Sequence, residues 1–293
     1  MKRIIIAFTA VLFLYSCEEE KSQTTSEIVT IIEENTKQEE RTEKIENIIY
    51  NIPSPTETVS ILRRAGAKYV FDFPNDPLNL DNYQTTAQKG LNMGVYGADL
   101  TYATVFNKTT ETSFYLTCVT KMGKKLNVEN VFNDDVNDRI QDNVDNRDSM
   151  QVIINETFWE LDAYLKEQER ENVSALIIVG GWIESLYIAT QFSKLNPENL
   201  EMKQRIAEQK YSLKNLIGLV KGYENKSGME EIFNTLDDLK SIFDEIKETK
   251  EKASSENNGD VMMIGNKITL EMSDELLKQI IINVEEIRTE IVN

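Results

Sequence analysis

The chain has 293 residues, with 50 Asp and Glu against 32 Lys and Arg and no histidine. The missing imidazole excludes His-based acid–base catalysis, Ser-His-Asp and Cys-His nucleophile systems and His-ligated metals. The formal charge of -18 argues against nucleic acid, whose phosphates require a surplus of Lys and Arg. Apolar types make up 40% of the chain, enough for a core and too many for wholesale disorder.

Met1-Lys2-Arg3 is a basic start, and Ile4 to Ser16 follows as an apolar run of 13 residues. A spanning helix needs ~20 residues, so this run has the length of a signal-peptide hydrophobic region. It ends in Leu14-Tyr15-Ser16-Cys17, which resembles the bacterial lipobox, although Tyr15 is bulkier than the residue usual at its place. The resemblance implies cleavage before Cys17 and acylation of its thiol. A plain secretory signal with a chance cysteine, or an uncleaved anchor, are the other readings. Two acyl chains already suffice for stable anchoring, at ~0.8 kcal/mol per buried CH2. Cleavage would remove Lys2 and Arg3 and deepen the acidic excess. Glu18-Glu19-Glu20-Lys21 resembles the export signal of surface lipoproteins in the Bacteroidota, which implies the outer membrane, with the protein facing periplasm or cell surface.

Residues 17–44 are mostly Glu, Lys, Thr, Gln and Ser, with no apolar residue between Ile32 and Ile45. Such a segment cannot bury enough surface to offset its ordering entropy, and it reads as an acidic tether reaching ~30 Å. One folded domain is expected over 45–293. Ile45, Ile48, Ile49 and Ile52 have helical spacing up to Pro53. Ser54-Pro55-Thr56-Glu57 combines a Ser cap, Pro at the first helical position and Glu three after the cap, and Gly66 ends the helix it starts. Residues 71–81, with two prolines and two phenylalanines, predict a loop packed on the core.

From Asn82 the periodicity is helical, predicting helices near 82–106, 110–124, 128–142, 148–169, 172–195, 197–222 and 228–253. Residues 254–259 are a polar break. Val261 to Ile264 and Lys267 to Leu270 flank Gly265-Asn266, a hairpin signal. An isolated hairpin is marginal, so this one must dock on helices. Ser273 then caps a final helix through about Ile291. The expected fold is mostly α, a multi-helix bundle or α-α repeat-like array with one small C-terminal β-hairpin.

Asp99 to Thr104 (DLTYAT) and Glu184 to Thr190 (ESLYIAT) are alike, and each follows glycines and an aromatic residue. They raise the reading of two similar halves around 82–142 and 148–222, against chance similarity. Glycines inside helices cost ~1 kcal/mol each relative to Ala, so they allow a close approach by another backbone or by a ligand. Asp99 and Glu184, with Tyr96, Tyr102, Trp182 and Tyr187 as aromatic walls, are therefore the candidate ligand site. Three readings stand: tight helix packing with satisfied carboxylates, a cleft for a sugar, peptide or cation, or an acid–base pair for glycoside cleavage.

Other features carry less. Asn133 to Asp148 is rich in calcium-type oxygen ligands, but it lacks the Gly and closing Glu of a binding loop. Asp148-Ser149-Met150 resembles the O-glycosylation signal of Bacteroidota envelope proteins, while Ser149 can equally begin a helix. Cys118 is the one thiol left if Cys17 is acylated, and its apolar neighbours predict a buried, inert group. No metal or cofactor is expected. The chain as a whole resembles uncharacterised all-α lipoproteins of the Bacteroidota, a resemblance carried by the N-terminal signal, the general style and Gly180-Gly181-Trp182. The leading expectation is a lipid-anchored envelope protein that binds or scaffolds, its partners the outer-membrane bilayer and an envelope protein or glycan. The alternative is a carboxylate-dependent hydrolase of glycan or peptide substrates.

Overall fold

A computed structural model describes residues 52–251 and 267–293. The expected signal segment, Cys17, the expected tether and the helix expected from Ile45 lie outside these residues, as do the strand expected at 261–264 and its Gly265-Asn266 turn.

The first helix, α1 (Pro55–Arg64), starts as its sequence requires. Ser54 Oγ accepts from the Glu57 N–H, Pro55 stands in the first turn, and Gly66 follows the end at φ +87°. Residues 67–85 then run as a connection with one 3-10 turn (Pro77–Asp81), and Phe73, Asn75, Leu80 and Tyr83 are buried. Thr85 and Gln88 form a reciprocal capping box at the start of α2 (Thr86–Val105). Helices α3 (Thr109–Lys125), α4 (Asp134–Asn143), α5 (Arg147–Glu167) and α6 (Glu171–Leu195) follow, then α7 (Leu200–Lys221) and α8 (Met229–Phe243).

The Asp/Asn-rich stretch serves as helix punctuation. Asn133 accepts from the Val136 N–H to open α4, and Asn146 accepts from the Ser149 N–H to open α5. Ser149 thus lies in the first turn of α5.

Three expected boundaries are corrected. The helix expected over 128–142 begins only at Asp134, because Glu129–Val131 fold as a 3-10 turn and Asn133 caps α4 after it. Asn196-Pro197 does not begin α7: Asn196 ends α6, and the Asn199 side chain caps α7 through the Met202 N–H. The helix expected over 228–253 stops at Phe243, and residues 247–251 form a strand instead. After Ile246 no apolar residue recurs at helical spacing, so no packed face holds the helix together. Strand β1 (Lys247–Glu251) pairs antiparallel with β2 (Lys267–Glu271), with Lys247 opposite Glu271 and Thr249 opposite Thr269. Ile246, Leu270 and Met272 are buried, so the pair is docked on the helices as a small hairpin must be. Ser273 caps α9 (Asp274–Val292) by accepting from the Leu276 N–H.

Helices α2 and α6 form the centre. Both are buried almost all round, and their mutual contact is the most extensive of any helix pair. On one side Met93, Tyr96, Leu100 and Ala103 of α2 pack with α3, α4 and α5. On the other, the α6 residues Trp182, Ile183, Leu186 and Phe192 pack with α1, α7, α8 and α9. The long apolar α6 has the length and hydropathy of a membrane-crossing helix, but 89% of its most apolar window is buried within the protein, as a core helix would be.

The α2–α6 crossing explains Gly94 and Gly180. A Cβ on Gly94 would lie 2.0 Å from the Ile177 oxygen and 2.6 Å from the Gly181 nitrogen. A Cβ on Gly180 would lie 1.9 Å from the Leu91 oxygen. Backbone meets backbone here, at a separation that only hydrogen side chains permit. The two similar segments lie within these two helices, the first helix of 82–142 and the second of 148–222.

Candidate functional site

Asp99 and Glu184 stand on α2 and α6, and both are completely buried. Their charge is answered from α9. Arg288 Nε donates to Glu184 Oε2 at 3.0 Å and Arg288 Nη2 to Oε1 at 3.1 Å, a bidentate pair. The guanidinium carbon lies 4.7 Å from the Tyr187 ring centroid, a cation–π contact. Arg288 is held well above its usual range, burial opposing and Glu184 outweighing it.

Asp99 Oδ2 accepts from the Asn75 N–H at 3.0 Å, while Oδ1 receives no N–H or O–H from any described residue. Burial raises the Asp99 pKa well above the usual carboxylate range, and the Glu184 charge raises it further, against the opposing pull of Arg288 and the Asn75 N–H. Burial and the neighbouring Glu184 thus favour the neutral, protonated form of Asp99 in the folded chain.

The aromatic candidates perform a related task. The Tyr102 hydroxyl accepts from the Val70 N–H, and the Tyr96 hydroxyl donates to the Asp76 carbonyl. Arg288 Nη2 donates to the Phe73 carbonyl at 3.4 Å, and Asn75 Nδ2 donates to the Tyr83 hydroxyl, which in turn donates to the Val292 carbonyl. Together these bonds fasten residues 70–76 over α2. A connection buried this way must find partners for its backbone groups, and these side chains supply them.

The structure therefore brings Asp99, Glu184 and Tyr187 together around Arg288, and sets Tyr96 and Tyr102 against the 70–76 connection. None of these five lines any of the four cavities described for the chain. Trp182 does. It borders a cavity of about 180 Å³ between the start of α1 and helices α2, α5 and α6. The walls include Pro55, Phe158, Trp159, Ile177 and the glycines 94, 97 and 181. The Trp182 indole N–H points to Gln209 and Ser212 on α7, 3.2 and 3.1 Å away. Trp159, on the rim, is 74% exposed. Much of the polar lining is engaged within the protein: Thr56 Oγ1 donates to Asn155 Oδ1 at 2.8 Å and Ser174 Oγ to Asp162 Oδ1 at 2.5 Å, while Lys166 pairs with Asp162.

Sequence reading overlooked Arg288 and Trp159. Arg288 was findable: it follows Val284 by four on the apolar face of α9, where a cation needs a buried anion. Nothing in the order of residues separates Trp159 from its neighbour Phe158, which is partly buried against Gly97. Cys118 is buried, and burial pushes its thiol up to about 11, which leaves it protonated and unreactive. Among the described residues no group of three or more acidic or Cys side chains is placed to hold a metal.

Comparison of the chain with protein-family models, with curated proteins and with solved structures yields no match.

Proposed function

We propose that this protein is an outer-membrane lipoprotein of the bacterial envelope, anchored through acylated Cys17, and that its helical domain is a non-enzymatic binding module. The anchor is supported by the basic start, the short apolar run and Leu14-Tyr15-Ser16-Cys17. The binding role is supported by one contrast within the domain. The Asp99 and Glu184 carboxyl groups are sealed in the α2–α6–α9 interior, whereas the accessible concavity between α1, α2, α5 and α6 is walled mainly by apolar and aromatic side chains, with Asp162 held there by Lys166 and Ser174. A hydrolase needs both carboxyls within reach of a substrate, with room between them for the scissile bond.

The anchor is tested by cell fractionation. Cys17→Ser should move the protein from the membrane to the soluble fraction and abolish incorporation of labelled palmitate; unchanged retention would refute the anchor. Protease treatment of intact cells then reports the side it faces. The binding reading is tested separately by incubating purified protein with envelope glycan fragments and peptides. The substrates should be recovered uncleaved by mass spectrometry, and turnover abolished by Glu184→Gln would install the hydrolase in its place.

A further inference from the structure

Resting on the binding-module reading, we propose that the cavity between α1, α2, α5 and α6 is a binding site for a small uncharged ring compound bearing one hydrogen-bond acceptor. Size comes first. At about 180 Å³ the cavity holds one ring rather than an extended chain; an apolar cavity of roughly 150 Å³ is enough to take up benzene.

The lining sets the polarity. Phe158, Trp159, Trp182, Ile154 and Ile177 present apolar surface, and among the described lining residues Asp162 carries the only formal charge. An anion would face that carboxylate in a chain already at -18. A cation would find Asp162 already taken by Lys166 and Ser174. A neutral body is what remains.

Asn155 sets the orientation. Its oxygen accepts from Thr56, which fixes the carboxamide and leaves the Nδ2 protons without a partner among the described residues. A ligand oxygen or ring nitrogen is the complement of that group. Trp159 gives the site its closing wall: a tryptophan 74% exposed on the rim of an apolar cavity is uncovered surface that a bound ring would cover.

The chain contains two tryptophans and both line this cavity, so fluorine NMR of 5-fluorotryptophan-labelled protein reads the site directly. The mature-length chain with Cys17→Ser keeps every described residue and needs no detergent. Three probes of similar size are titrated: acetophenone, with a ring and a carbonyl acceptor; toluene, with no acceptor; and benzoate, an anion. Acetophenone should shift both resonances saturably, and benzoate should bind at least tenfold more weakly. Asn155→Leu should weaken acetophenone several-fold and leave toluene unchanged, the retained toluene binding showing that the cavity is still formed. Should that variant fail to fold, Thr56→Val releases the carboxamide and should weaken acetophenone alone. Benzoate binding as tightly as acetophenone, or indifference of acetophenone to both variants, would overturn the ligand class and leave the cavity as the module's site. No saturable shift with any probe would overturn the site itself.

Discussion

Two neighbouring glycines should respond to the same substitution in opposite ways. Gly180 and Gly181 both lie in the middle of α6. An alanine Cβ at Gly180 would sit 1.9 Å from the Leu91 oxygen, 2.7 Å from its carbonyl carbon and 3.0 Å from its Cα, all backbone atoms of α2. An ordinary contact needs ~3.4 Å or more, so the two central helices would have to separate by more than an ångström along their most extensive contact. Overpacking of this kind costs about 1–3 kcal/mol and sometimes more, and the rigid backbone on both sides puts Gly180→Ala at the upper end, well beyond the ~1 kcal/mol gained from better helix propensity. At Gly181 the same Cβ would meet the Gly94 oxygen and Pro55 Cγ at 3.4 Å, ordinary contact distances. Gly181→Ala should therefore be neutral or stabilising by up to ~1 kcal/mol. Urea titrations followed by helical circular dichroism, on protein lacking residues 1–17, would measure both. In a domain of this size ~1 kcal/mol moves the Tm by about 2–4 °C, so a difference of some 3 kcal/mol separates the variants clearly. Equal effects of the two substitutions would refute the close backbone crossing of α2 and α6.

The buried charges give the other predictions. Arg288→Leu strands Glu184 in the interior and should cost about 3–5 kcal/mol in the same titration, whereas adding Glu184→Leu should recover part of that loss. Asp99→Asn should flatten the pH dependence of stability. The Asp99 pKa is raised in the folded chain, so its contribution is fully present below the ordinary carboxylate range and is lost as pH rises toward the folded pKa, by at most about 1.4 kcal/mol per pH unit. Parallel stability–pH curves for wild type and Asp99→Asn above pH 5 would contradict the protonated assignment. Cys118 should react with a disulfide reagent at neutral pH only slowly in the native state and rapidly in urea, because the thiol is buried and held at about 11; fast native labelling would place it elsewhere.

Much of the architecture was legible in the residues taken in order. The Ser54 and Ser273 caps, the apolar stripes and the turn residues are local signals, and the corresponding helices stand where those signals place them. The start of α7 was misread on a local signal, since Asn199 rather than Asn196 supplies the cap, but the larger misreading lies where the deciding interaction is not local. Residues 247–251 have no apolar pattern of their own, and they become a strand because 267–271 comes alongside. The sequence also marked Asp99, Glu184 and the helix-interior glycines as unusual, since carboxylates and glycines on apolar helices are costly without a reason. It left that reason open among packing, binding and catalysis.

The acidity, the missing histidine and the apolar N-terminal run depend on composition and short-range order, so the chemistry they exclude and the anchor proposed from them rest on the sequence by itself. Which side chains answer the buried charges depends on distance in space. Arg288 is 104 residues from Glu184, and only the docking of α9 across α2 and α6 brings the guanidinium to that carboxylate. The same docking closes the interior around Asp99. The accessible cavity is left instead at Trp182 and Trp159, where α1, α2, α5 and α6 meet around glycines. Desolvation requires a partner for every buried charge, and the partner and the opening were both decided by tertiary packing.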